Sequence, residues 1–115
     1  MKEFAPNPWG ADLKRRQRFE RRQRAAELKA AIDVAVSEGR AFVIVDHFRA
    51  AGIEHSMWIR SMFGELFGMT PGAYLTAKRV ERARALHAAG LATWAISKRT
   101  GLRFERVKKL VGRAA

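Results

Sequence analysis

Lys98, Arg99, Arg103, Arg106, Lys108 and Lys109 place six cations within twelve residues around one glycine, Gly101. Arginine grips guanine edges or phosphate with a planar, two-pronged fork, and lysine meets phosphate as a point charge. Such a group suits contact with a polyanion. A second basic run, "KRRQRFERRQR", holds Lys14, Arg15, Arg16, Arg18, Arg21, Arg22 and Arg24. It is basic on all sides and has no apolar stripe of its own. Catalytic groupings do not compete with these cations. His47, His55 and His87 lack metal-ligand spacing, and the chain has no cysteine to help them. No Ser/His/Asp set, no carboxylate pair in a basic pocket and no phosphate loop can be traced. The expectation is no enzyme, no cofactor and no metal.

The whole chain of 115 residues carries a net charge of +12. A small chain this basic meets a polyanion, because each neutralised phosphate releases a counterion. The charge is uneven. Residues 1–24 hold eight Lys/Arg against three Asp/Glu, residues 25–70 hold four against six, and residues 71–115 hold eleven against two. Solubility alone does not require such separation. No run of 18 apolar residues exists and the first residues lack a secretory apolar core, so the expected place is the cytoplasm, at the nucleoid.

The cations need elements to present them. Residues 1–11, with Pro6, Pro8 and Gly10, read as a loose arm, with Asp12 capping a helix from Leu13. Leu28, Ala31, Ile32, Ala35 and Val36 then form a helical stripe that docks this segment on the rest of the chain. The run before it is expected to stay disordered until phosphates neutralise it, since like charges at i, i+3 and i+4 oppose a helix. Phe42 to Val45 fits a strand or a helix, and its all-helical surroundings favour helix. Ser56 to Phe67 reads as a helix with Ile59, Met62, Phe63 and Leu66 on one face. Thr70-Pro71 opens a long helix to about Ala89, with Thr as the cap and Pro at the first helical position. On it Ala73, Ala77, Val80 and Ala83 lie on one side and Leu75 and Leu86 on the other. A helix apolar on two sides is packed from two sides.

Around Gly101 the spacing is that of a helix-turn-helix. Thr93 to Arg99 is one short helix, and residues 103–111 are the second, with Phe104, Val107, Leu110 and Val111 facing inward and Trp94 in the core. Ile96, Leu102, Val107 and Leu110 stand five before and one, six and nine after the glycine, as the pattern requires. Ser97 is small where the helices cross, and Thr100 is more polar than the pattern prefers. The outward residues are Arg103, Glu105, Arg106, Lys108 and Lys109, flanked by Lys98 and Arg99.

"FGMTPGAYLTAKRVERARALH" resembles the connector of the AraC/XylS family of bacterial transcription regulators, through Gly68, Thr70, Pro71, Tyr74, Leu75, Arg79, Glu81, Arg82, Ala83 and Leu86. The likeness extends forward into "AISKRTGL" and back through "IRSMFGELFG". It implies an all-α fold with two helix-turn-helix units joined by a long connector helix; the basic N-terminal helix or arm that precedes them lies outside the likeness. The divisions are 1–39 for the arm and helix and 40–115 for the AraC-like DNA-binding domain. Within the latter the units are expected at about 42–68 and 92–112, around a connector at about 71–89. The first unit departs from the family pattern. Phe48 stands where a small residue belongs, His47 where an aliphatic one does, and the turn after Gly52 is one residue longer. Its candidate readers are His55, Ser56, Trp58 and Arg60. No sensor domain fits in the 40 or so residues before it, and no closing helix follows, so the likeness is to stand-alone members that bind asymmetric sites as monomers.

The sequence therefore points to a transcription regulator that binds double-stranded DNA, as monomer or homodimer, with its recognition helices in the major groove. The seven cations of residues 14–24 would hold phosphates. The Arg and Ala usage fits a GC-rich bacterial genome, and the size suits a phage or mobile-element gene. An architectural DNA-binding protein of low specificity is one alternative. An adaptor that binds RNA polymerase or another regulator through the acidic middle third is a second.

Overall fold

A computed structural model describes residues 8–114, and over them all regular structure is helical. The order is α1 (Pro8–Ser37), α2 (Ile44–Ala50), α3 (Ser56–Phe67), α4 (Pro71–Ala88), α5 (Thr93–Thr100) and α6 (Phe104–Ala114). The molecule is long and thin, 73 × 26 × 19 Å. Residues 1–7 of the expected loose arm, Pro6 among them, lie outside the described residues.

α1 corrects the expected arm. Within the described residues it runs from Pro8, whose fixed φ suits the first turn of a helix. Asp12 therefore sits inside the helix and is not its cap. The basic run is helical too. Arg and Gln are good helix formers, and once Ala25, Leu28, Ile32 and Val36 anchor the C-terminal half, each added residue only has to propagate the helix. At about 1.5 Å per residue, α1 is about 45 Å long. It ends before Gly39, whose φ of 70° only glycine takes without cost.

Two apolar clusters hold the chain together. The first joins Leu28, Ile32 and Val36 of α1 to Phe48, to Ile59, Met62 and Phe63 of α3, and to Leu75 of α4. The second joins Ala83 and Leu86 of α4 to Ile96, Leu102 and Val107, with Val80, Leu110 and Val111 at its edge. α4 thus serves both clusters in succession along its length. This corrects its expected division into two apolar sides: Ala73 and Ala77 are exposed. The buried residues are Pro71, Leu75, Ala83 and Leu86. Thr70 caps the helix as expected, accepting the Ala73 N–H at 3.1 Å.

Other inward residues of the sequence reading turn out exposed: Leu66 (42%), Phe104 (46%) and Trp94 (66%). Trp94 stands two residues before fully buried Ile96, and two residues rotate a helix by about 200°, so both cannot face the same core. In the doubtful 42–45 stretch, Val43 is extended and the helix begins at Ile44.

α1 and α4 are also joined by a polar strap. The Tyr74 hydroxyl donates to Asp33 at 2.5 Å, and Lys29 lies 3.3 Å from the other Asp33 oxygen. Tyr74→Phe is expected to lower stability by about 1 kcal/mol, the usual net worth of one hydrogen bond with a half-exposed acceptor. Burial, then the bond to Asp33, raises the Tyr74 phenol above its ordinary value of 10.0. The native state therefore holds this proton more tightly than the unfolded chain does. The contribution is whole below about pH 10 and is lost as pH rises through the higher native value. Melting curves of the parent and of Tyr74→Phe should converge in that alkaline range. A constant gap between them would remove Tyr74 from the strap.

Candidate nucleic-acid interface

Gly101, with φ 76°, turns the chain between α5 and α6. Two hydroxyls tie the turn. Ser97 donates to the Leu102 carbonyl at 2.6 Å, and buried Thr100 donates to the Ile96 carbonyl at 2.7 Å while accepting the Leu102 N–H at 3.3 Å. This explains why two polar residues stand in an otherwise apolar pattern: a buried hydroxyl is tolerated when hydrogen-bonded. Ile96, Leu102 and Val107 are buried beneath the turn.

That packing aims the opposite side of α6 at solvent. Arg103, Glu105, Arg106, Lys108 and Lys109 are all exposed, and so are Lys98 and Arg99 at the end of α5. Among the described residues none of these cations enters an ion pair. All seven predicted residues of this part of the chain are thus exposed, on α6 and at the end of α5.

The α2–Gly52–α3 hairpin presents its candidates less openly. Gly52 has φ 70°, and three residues separate it from α3 where two separate Gly101 from α6. The extra residue accompanies the bulk of Phe48, which is 3% exposed, a core residue where a small one was expected. His47 is half-buried beside it. His55 and Ser56 stand at the start of α3. Trp58 is half exposed, and the Arg21 guanidinium lies 4.1 Å above its ring. Arg60 is half-buried, with its guanidinium 5.2 Å from the Phe48 ring.

Of the basic run, Lys14, Arg15, Arg16, Arg18 and Arg22 are exposed, and Arg21 and Arg24 are half-buried. Arg18 reaches Glu65 of α3 at 4.0 Å, and Arg24 pairs with Glu27 at 3.4 Å. Exposed pairs of this kind are worth about 0–1 kcal/mol and leave the charges available to an anion. The side chain of Trp9, an aromatic near the basic run that could stack on a base or simply pack, lies outside the described residues. Among the described residues no cluster of His, Asp or Glu has the makings of a metal site.

Arg79 is the residue whose role sequence reasoning passed over. It donates to the Phe42 carbonyl at 3.3 Å. Its guanidinium also lies against Gly101, 3.6 Å from where a Cβ would stand. Nearby, Gly39 comes within 3.4 Å of the Arg99 carbonyl by the same measure. Arg79 thus ties the segment entering α2 to the turn before α6. The signal was present: Leu75, Arg79 and Ala83 recur every four residues, so an arginine occupies the buried stripe of α4. Comparison with family models, with characterised proteins and with solved structures finds no match to this chain.

Proposed function

We propose that this protein is a sequence-specific double-stranded-DNA-binding regulator of transcription, built from two helix-turn-helix units on the α4 connector. The observation that carries the reading is the basic, exposed face of α6 above a buried Val107, delivered by the Gly101 turn. A helix of this kind fits the major groove, which is about 12 Å wide. There arginines meet guanine edges and lysines meet phosphates. The resemblance of residues 67–87 to the AraC/XylS connector supports the same reading, as do the two apolar clusters that α4 joins.

The test is competition of a selected duplex against random duplex. A ratio of about 10³ or more is expected of a specific binder. Arg103→Ala or Arg106→Ala should cost about 1–3 kcal/mol and relax preference at particular base pairs. Arg60→Ala should cost less. The thirty-residue α1, with its eight cations, favours a second reading as an architectural DNA-binding protein. A ratio near unity, with Arg103→Ala and Arg106→Ala weakening all duplexes alike, would select that reading.

A further inference from the structure

We infer that α6 alone reads bases, while the first helix pair grips the neighbouring turn of the duplex by its phosphates, through the arginines of α1. This rests on the DNA-binding reading and narrows it to one kind of target: a single read half-site with an unread flank.

α3 and α6 can be placed in register by their buried residues. Ile59, seven residues after Gly52, takes the place of Val107, six after Gly101. His55, Met57, Trp58, Arg60 and Ser61 then answer to Arg103, Glu105, Arg106, Lys108 and Lys109. Four cations are replaced by one, Arg60, and that one is half-buried over the Phe48 ring. The face of α3 that corresponds to the reading face of α6 offers little to a base edge.

It is also obstructed. α1 runs along α3, with Arg21 stacked on Trp58 and Arg18 beside Glu65. A shallow groove of about 300 Å³ between them is lined by Lys14, Arg18, Trp58, Ser61, Met62 and Glu65. Two packed helices have axes about 8–10 Å apart, and each is about 10–12 Å across with its side chains. Side by side they are about 20 Å wide, and the major groove at about 12 Å admits one. α3 cannot sink along that flank while α1 lies on it. α6 differs, because α4 packs on its inner side, around Val107 with Leu110 and Val111 at the edge, and leaves Arg103, Arg106, Lys108 and Lys109 exposed.

What the first pair does offer is the outer side of α1. Arg15, Arg16 and Arg22 are exposed, and among the described residues none enters an ion pair. Cations on a rigid helix that cannot enter a groove meet the phosphates at its rim. Such contacts position a protein without reading sequence.

The test is selection of duplexes from a random pool by the full chain, followed by ethylation interference on the selected duplex. One short run of specified base pairs is expected. The adjacent turn, about 10 base pairs away, should show phosphate interference without base preference. Replacing Arg15, Arg16 and Arg22 together by Ala should erase that interference and weaken selected and random duplex by the same factor. The salt slope should become shallower by about 0.9 for each phosphate that is no longer neutralised. Trp58→Ala and Arg60→Ala should leave the selected bases unchanged. A second run of specified bases that fades with either of those variants overturns the inference and leaves the DNA-binding reading standing. So does interference in the adjacent turn that survives the triple substitution. Failure of the full chain to bind any duplex overturns both.

Discussion

Raising salt fourfold is expected to weaken the binding of this protein to duplex DNA by about 500-fold, the figure for five neutralised phosphates at a slope of about −0.9 each. Five is a conservative number of contacts. α6 and the end of α5 present six cations, and α1 exposes five more. Exposure matters here, because a guanidinium already spent on a buried carboxylate releases no counterion when DNA arrives. The carboxylates near these groups, Glu65 and Glu27, form only solvent-exposed pairs with them. The measurement is a titration at several salt concentrations, plotted as log K against log salt. A flat line between low and physiological salt would sink the DNA-binding reading as a whole.

Phe63→Ala should have the largest effect on the fold, a loss of about 3–5 kcal/mol, which is a large part of the 5–15 kcal/mol that holds a typical domain. Phe63 is fully buried in the first cluster, among residues of α1, α3 and α4. Its ring meets Phe67 at 4.8 Å and Tyr74 at 5.6 Å, both edge-on, so truncation leaves a cavity and removes two aromatic contacts. Phe104→Ala, at an exposed position, serves as the comparison and should change stability by less than about 0.5 kcal/mol. Denaturant unfolding of the two variants checks the pair of expectations. If they prove equal, the packing of α1 onto α3 is wrong.

Local punctuation made the element boundaries readable. Thr70-Pro71 marks the start of α4 because both residues answer to backbone chemistry at that spot. Gly68 and Gly101 mark helix ends, where a left-handed residue is needed. Ser56 to Phe67 and the buried set Ile96, Leu102 and Val107 followed from spacing alone. What was not legible depended on partners distant in sequence. Ala73 and Ala77 looked inward because alanine is apolar, yet no other helix covers them. Arg79 carried no expected contact within the chain, yet it donates to a carbonyl of residue 42. The contact of Arg21 with Trp58 spans 37 positions, and no local period announces it. That contact separates a freely presented α3 from one flanked by a basic helix, so the site was less legible than the fold.

The shape has a consequence for crowding on the polymer. A chain of 115 residues folded as a sphere has a radius of gyration of about 13 Å. This one has 19.5 Å and a long axis of 73 Å. If the proposed DNA binding holds and this axis follows the duplex, it would span roughly 20 base pairs at about 3.4 Å each, two turns. Each copy bound in that way would deny a stretch of duplex to its neighbours out of proportion to its mass. Occupancy of one site would then lower the availability of an overlapping one by simple exclusion, with no contact between copies.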